Sequence, residues 1–287
     1  MIIGIIGIGL IGSSLARAFK GANAGSIYIA DIDKTHLEQA QGLGLGDRYF
    51  TAVQELAPHC DVVFISVPVK RTAEVAREIA PHLKPGAVVT DVGSVKSAVI
   101  RETGPCFPPN VAFVPGHPIA GTEQSGPRAG RADLFAGRTY ALIGDEKDPA
   151  VIKVADLVKK TGARIAYMDA DKHDLILGFT SHLPHLCAFA AVHSAKNISA
   201  RTQENIMRYT GGSFEDLTRI AGSNVDMWRD IFLSNKEHIA EAYKLLRQEL
   251  DRLATLIENA DATGINDYIG EARELRYRYY DDKRRDS

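Results

Sequence analysis

An α/β domain followed by an all-α domain is the fold this sequence predicts, and three observations predict it. Short apolar runs alternate with helical segments through the first 168 residues, the pattern that builds βαβ crossovers and a mostly parallel sheet. The first run ends in the turn Gly7-Ile8-Gly9-Leu10-Ile11-Gly12, which leads straight into a helix. From Asp169 onward strand signals vanish and only three- and four-residue apolar spacing remains. Residues 1–168 therefore read as a Rossmann-like domain and residues 169–287 as a helical one.

Residues 2–6 are apolar and short enough for a buried strand. Leu15, Ala16 and Phe19 then repeat at helical spacing. Between strand and helix, GxGxxG is the dinucleotide fingerprint. Gly7 permits the tight turn, Gly9 lets the backbone approach a pyrophosphate, and Gly12 lets the helix pack close to the strand. Leu10 and Ile11 lie in the turn before the helix over 13–20, whose N-terminal N–H groups are free to meet phosphates. A second strand over 26–30 ends in Asp31, near the distance of ~20 residues at which an acidic residue accepts from a ribose diol. A carboxylate there repels a 2′-phosphate, which predicts NAD rather than NADP. The competing reading of Asp31 is a cap for the helix that starts near Lys34.

The alternation continues with a strand over 61–67, which delivers Val67 and Pro68, and a helix over 71–83. A strand over 87–91 leads through Gly93 and Ser94 into another helix. The strand over 111–114 brings the chain to Pro-Gly-His-Pro-Ile-Ala-Gly-Thr-Glu-Gln-Ser, residues 115–125. His117 sits there on what reads as a constrained loop, with Gly116 before it to let the backbone approach a ligand and Pro118 to fix the chain after it. An imidazole so placed suits proton transfer; the simpler reading is a histidine that hydrogen-bonds a turn. Ligands of parallel sheets bind beyond the carboxyl ends of the strands. Asp31, Pro68, Ser94 and His117 all fall just past expected strand ends, so they should line one edge of one crevice. A strand over 139–143, a helix over 151–160 and a strand over 164–167 add a last α/β unit.

The helical half starts with a long apolar helix over 172–196, interrupted near 181–184. Helices over 202–209, 213–221, 224–233, 235–259 and 267–280 follow. Ile239, Ala242, Tyr243, Leu246, Leu250, Leu253 and Leu256 make an amphipathic stripe on the longest of these. This half also carries His173, His182, His185, Arg219, Trp228 and Arg229. His182 and His185 share one side of a turn, but with no HExxH and no acidic third ligand at fixed spacing no metal is expected. Core histidines with satisfied hydrogen bonds are the plainer reading. The Arg219 fork suits a substrate carboxylate or a pair with Asp216 or Glu215 on its own helix. Trp228 is most simply a core aromatic.

Composition excludes several classes. The chain is 45 % hydrophobic and 24 % charged with a formal charge of −2, an ordinary globular balance that points to neither nucleic acid nor an anionic membrane. The one basic cluster, Lys283-Arg284-Arg285, is diluted by Asp281, Asp282 and Asp286 and reads as a solvated tail. Cys60, Cys106 and Cys187 are scattered without a CxxC pair, which fits a reducing compartment. The apolar N-terminus has no basic flank and is too short for a bilayer. A cytoplasmic protein is the expectation.

GIGLIG, DVGSVK, GHPIAGTEQSG, DKHDLILGFTSHLPH, GGSFEDLTRIAGSN and MWRDIF together resemble the prephenate/arogenate (cyclohexadienyl) dehydrogenases of tyrosine biosynthesis, essentially end to end. GHPIAGTE and SHLPH carry the specificity; GIGLIG alone does not. The resemblance implies an NAD(P)-dependent oxidative decarboxylase with a helical C-terminal dimerisation domain, hence a homodimer. By that similarity His117 is the catalytic histidine and Ser94 its partner at the ring hydroxyl. His182, His185 and Arg219 fall on the substrate side, with Trp228 and Thr122 nearby. Gly7, Gly9, Leu10, Ile11, Gly12, Asp31, Val67, Pro68 and Ser94 fall to the cofactor. Two other readings stand beside it: a different two-domain NAD-dependent hydroxyacid dehydrogenase, and an NAD-binding sensor without turnover. Neither calls for GHPIAG or SHLPH, and a sensor has no use for the proton-handling pair Ser94 and His117.

Overall fold

The computed structural model describes residues 1–122 and 124–285. Glu123 of the 115–125 motif and Asp286 of the tail lie outside the described residues. By backbone packing the chain forms two compact units, Met1–Lys236 and Glu237–Ser287. The change from mixed strand and helix to helix alone comes near Asp169, inside the first unit.

The first unit opens as the sequence predicts. Strand β1 (Ile2–Ile6) feeds helix α1 (Leu10–Gly21), then β2 (Ser26–Ala30) and α2 (Lys34–Gly42). Strand β3 (Arg48–Phe50), three residues long, is not legible from periodicity. A single helical turn, α3 (Val53–Leu56), precedes β4 (Val62–Ile65) and α4 (Thr72–Ile79). Then come β5 (Val88–Asp91), α5 (Ser97–Thr103) and β6 (Ala112–Val114). All six strands pair in parallel in the order β3-β2-β1-β4-β5-β6. The order reverses between β1 and β4, which opens a crevice beyond their carboxyl ends. Period-two alternation feeds both faces. Ile3, Ile5, Val62 and Phe64 pack with Leu15 and Phe19 on one side, while Ile6, Val63 and Ile65 pack with Leu56 and Ile79 on the other.

The last α/β unit does not extend this sheet. Strands β7 (Gly116–Pro118), β8 (Thr139–Ile143) and β9 (Arg164–Met168) make a second sheet, with α6 (Pro149–Lys159) between β8 and β9. Pairing is antiparallel for β7 and β8, parallel for β8 and β9. His117 is therefore in a strand, opposite Ala141, and not on a loop. Gly116 also differs from expectation. A Cβ there would lie 2.9 Å from the Tyr140 ring and 3.1 Å from the Asp91 carbonyl oxygen. Its lack of a side chain lets β7 approach protein, not ligand.

Helix α7 (Ala170–Leu177) continues through a π turn (Gly178–His182) into α8 (Leu183–Thr202). The expected interruption near 181–184 is this turn, which widens the helix without ending it. By length and composition the run is apolar enough to cross a membrane. Here its first turns bond to the loop after β5, so they face this chain's own sheet. Helices α9 (Gly212–Thr218) and α10 (Val225–Ser234) complete the unit. The helix expected over 202–209 is only a 3-10 turn, Ile206–Tyr209.

The second unit consists of α11 (Lys236–Glu258) and α12 (Ala262–Arg285). Within it Arg252 lies over the Tyr268 ring at 5.2 Å, and a Cβ on Gly264 would meet Leu256 at 2.7 Å. Helix α12 runs through Arg285, so residues 283–285 are helical where a tail was expected.

Candidate functional site

The glycine turn is shaped for close backbone approach. Gly7 has φ +88°, and a Cβ on it would lie 2.4 Å from the Ser66 carbonyl oxygen. One on Gly12 would lie 2.0 Å from the Gly7 carbonyl oxygen, so the first turn of α1 closes onto the strand end only without a side chain there. At Gly9 no atom lies within 4 Å of such a Cβ. That open space sits where Leu10 and Ile11 present the N-terminus of α1, whose free N–H groups suit a phosphate. Val67 and Pro68 follow β4 on the neighbouring strand end, so they border the same crevice.

Asp31 follows β2 and does not cap α2. That cap is Asp33, whose carboxylate accepts from the N–H groups of Thr35 and His36. Asp31 instead accepts from the Ile8 N–H at 2.8 Å and the Asp33 N–H at 2.9 Å. Its carboxylate thus ties the glycine turn to the end of β2 and remains beside the crevice, only 11 % exposed.

The segment after β7 returns to α1. The Arg17 guanidinium donates to the Pro127 carbonyl at 3.3 Å, and the Arg131 N–H donates to Ser14 Oγ at 3.0 Å. Thr122 is exposed on this segment, its hydroxyl accepting from the Gln124 N–H. Residues 119–131 therefore connect the histidine strand to the dinucleotide turn.

Around His117 the geometry is tight. Asp91 and Lys96 are fully buried and form an ion pair. The same two side chains grip Gly116: its N–H donates to Asp91 Oδ1 at 3.2 Å, and its carbonyl accepts from Lys96 Nζ at 2.7 Å. The residue before His117 is thus fixed at both backbone groups. His117 Nδ1 lies 2.9 Å from His173 Nε2. His173 Nδ1 lies 2.8 Å from Asp174 Oδ1. Asp174 also accepts from the N–H groups of Lys96 at 2.7 Å and Ser97 at 2.8 Å. Burial raises the Asp174 carboxyl, but these hydrogen bonds win and hold it below the ordinary carboxylate value. His117 is held well below the usual imidazole range, first by burial and then by the charges of His173, Lys96 and His182. At neutral pH it is an uncharged base. Ser94 is half-buried on the loop between Asp91 and Lys96, the loop that carries this network.

The helical residues gather on the other side. Asn235 Nδ2 donates to the Asp174 carbonyl at 2.8 Å and lies 3.0 Å from His182 Nδ1. His182 Nδ1 is then the acceptor, and its buried Nε2–H has no protein partner. Burial pushes His182 down to about 4. The His185 ring stacks on Trp228, centroids 3.5 Å apart, and its Nδ1–H donates to the Ser181 carbonyl at 2.9 Å. Burial lowers His185 too, against the raising effect of the Ser181 bond, and the Arg219 charge adds to the lowering. Trp228 is buried, yet its Nε1–H has no partner. Arg219 is exposed at the end of α9. His182, His185, Trp228 and Arg219 thus converge, and they present two unpaired N–H donors and a guanidinium. Among the described residues no group of three or more His, Cys, Asp or Glu side chains is disposed to hold a metal.

Reasoning from sequence missed Asp91, Lys96, Asp174 and Asn235, and gave His173 no role. One signal existed: Asp91 and Lys96 are the two charged residues of the DVGSVK segment, and the former ends an expected strand.

Residues 15–167 match the family described as prephenate dehydrogenase, nucleotide-binding domain, and residues 169–271 match prephenate dehydrogenase, dimerization domain. A cyclohexadienyl dehydrogenase of Zymomonas mobilis is 37 % identical over 278 residues, covering 96 % of this chain and 94 % of the relative. The crystal structure of prephenate dehydrogenase from A. aeolicus in complex with hydroxyphenyl propionate and NAD+ superposes with a TM-score of 0.91 at 33 % identity, over 97 % of this chain and 98 % of that one. Synechocystis arogenate dehydrogenase superposes with a TM-score of 0.80 at 26 % identity, over 97 % and 100 %.

Proposed function

The chain belongs to the prephenate dehydrogenase family, and from that premise we propose that it catalyses NAD-dependent oxidative decarboxylation of prephenate, arogenate or both. The observation that carries the reading is His117, a neutral buried base with Nδ1 engaged, set beside a crevice that fits a dinucleotide. NAD, when bound, supplies the acceptor for the hydride that leaves the ring carbon bearing the hydroxyl. His117 accepts a hydrogen bond from that hydroxyl and takes its proton; Ser94 orients the same oxygen. As the carbon becomes a ketone, the ring loses carbon dioxide and becomes aromatic, a step that needs no acid catalyst. The protein's contribution is positioning and one proton.

The dinucleotide lies over Gly7, Gly9, Leu10, Ile11 and Gly12, with Val67, Pro68 and Ser94 along its edge and Asp31 at the ribose. Substrate carboxylates meet Arg219 and the unpaired N–H groups of His182 and Trp228, with His185 and Thr122 beside them. Donors without partners in a buried site favour an anionic ligand. The working form is a homodimer through the helical half, where Phe179, Ile198, Leu245, Leu250 and Ile257 are large apolar residues left exposed on one chain. Such a metabolic enzyme works in the cytoplasm.

The test is absorbance at 340 nm with NAD and prephenate, then with NAD and arogenate. Turnover of at least one acid is expected. His117→Asn should keep the fold and NAD affinity but lose about 10²–10⁴-fold in kcat. A folded, NAD-binding protein that turns over neither acid overturns the assignment. Near-native turnover by His117→Asn moves the base elsewhere.

A further inference from the structure

Asp174 and His173 lie behind His117 with no contact to the crevice of their own; both are at most 1 % exposed. We propose that they form a positioning pair that fixes which nitrogen of His117 is the base and shares the charge it acquires. The inference rests on the reading above, in which His117 takes the substrate proton.

The assignment follows from one end of the chain of contacts. The Asp174 carboxylate already accepts from two backbone N–H groups, which holds it ionised, so it can only accept from His173. His173 Nδ1 must then carry a proton. In neutral His173 that leaves Nε2 bare, and the facing His117 Nδ1, 2.9 Å away, must donate to it. His117 Nε2, which has no hydrogen-bond partner among the described residues, is therefore the bare acceptor. A histidine without this backing populates both tautomers, and one of them presents N–H to the substrate hydroxyl and cannot act as a base.

The pair also answers an electrostatic difficulty. Lys96 Nζ binds the Gly116 carbonyl, one residue from His117, and opposes a second positive charge there. When the substrate O–H breaks and a proton joins His117 Nε2, the Nδ1 proton is held between His117 and His173. Positive charge so spread faces the Asp174 carboxylate. The charged and titratable groups around the ring are Asp91 at the end of β5, Lys96 on the loop, Tyr140 on β8, His173 and Asp174 on α7, and His182 on the π turn. Asp174 is the anion that reaches the ring through hydrogen bonds alone.

Asp174→Asn is the decisive change. It removes the charge that fixes the tautomers. With its NH₂ in the place of Oδ1 it donates to His173 Nδ1 and leaves the Lys96 N–H without an acceptor; turned over, it keeps both of those bonds and leaves the Ser97 N–H without one. In the first arrangement His173 carries its proton on Nε2 and donates to His117 Nδ1, so His117 presents Nε2–H to the substrate; in the second the anion behind the pair is lost. The expected result is a kcat lower by about 10²–10⁴-fold, the range seen when a base loses its correct tautomer or is removed, with KM for NAD and substrate within about threefold. His173→Gln, whose side-chain oxygen still accepts from His117 Nδ1–H, should lose less than Asp174→Asn. Long-range ¹H–¹⁵N correlation of the histidine rings gives a readout that needs no substrate, with the His117 signals identified by their absence in His117→Asn. Native His117 should show a protonated Nδ1 and bare Nε2, with protonated Nε2 appearing in Asp174→Asn. Native His117 with protonated Nε2, or folded Asp174→Asn with native kcat, overturns the proposal while leaving His117 as the base. Loss of activity in His117→Asn alone separates the two.

Discussion

Acid should destabilise this protein through His182, by an amount the structure sets. The ring is 1 % exposed and is held at about 4, against an ordinary value of 6.5. The folded value is depressed, so the unfolded chain binds the extra proton first as pH falls. The stability that neutral His182 contributes is fully present above 6.5 and lost as pH falls toward 4. Each tenfold loss of proton affinity is worth about 1.4 kcal/mol, so the whole displacement amounts to about 3 kcal/mol, of which about 2 is lost by pH 5. Against a total of about 5–15 kcal/mol for a domain, that is a visible fraction. The assay is urea unfolding at fixed protein concentration, at pH 7.5 and pH 5, for the native chain and His182→Gln. His182→Gln should be the less stable at pH 7.5, because it loses the Asn235 bond and the Trp228 contact, and the gap should narrow by about 2 kcal/mol at pH 5. Comparing the two proteins cancels the other titrating groups, His117 among them. A gap that stays constant between the two pH values would refute the reasoning: His182 would then be solvated, and its unpaired Nε2–H no longer a reserved donor.

Two further outcomes follow from the same geometry. Asp31→Ser should narrow the preference for NAD over NADP and also raise the KM for NAD, since Asp31 holds the Ile8 N–H of the glycine turn; equal use of both cofactors by the native enzyme in steady-state kinetics would end the assignment. Arg219→Ala should raise the substrate KM by more than about tenfold with little change for NAD, as a lost charged hydrogen bond costs about 1.5–3 kcal/mol; equal losses for both ligands would place Arg219 in the helix and not on the substrate.

Much of the fold was legible because its signals are local. Gly7, Gly9 and Gly12 lie within one turn, and apolar runs of four or five residues announce β1, β2, β4 and β5. β3 and β7, three residues each, are shorter than the window in which alternation can be seen. The second sheet was hidden for a further reason. Its strands have ordinary strand character, and the contacts that hold Gly116 beside β5, the Asp91–Lys96 grip and the Tyr140 ring, come from residues distant in sequence.

The candidate site divides along the same line. His117, Ser94 and Asp31 could be named because each follows a strand, and position after a strand is a local property with a spatial meaning in a parallel sheet. What makes His117 a base is not local. Its partner His173 is 56 residues away, and the anion behind that partner is tied to a loop 78 residues away. Nothing in the spacing of Asp171-Lys172-His173-Asp174 distinguishes a solvated helix start from a buried one, since Asp169 caps the same turn and Asp171 and Lys172 are exposed. Asp174 faces inward because α7 is pressed against the loop of residues 96–97, whose two N–H groups belong to the start of α5 and have no carbonyl of their own helix to meet. A helix start that needs an acceptor, a carboxylate that needs donors and a histidine that needs its proton on one side are three separate demands. They are met by one side chain, which is why removing its charge while keeping its shape, as Asp174→Asn does, should leave the fold in place and strike the chemistry.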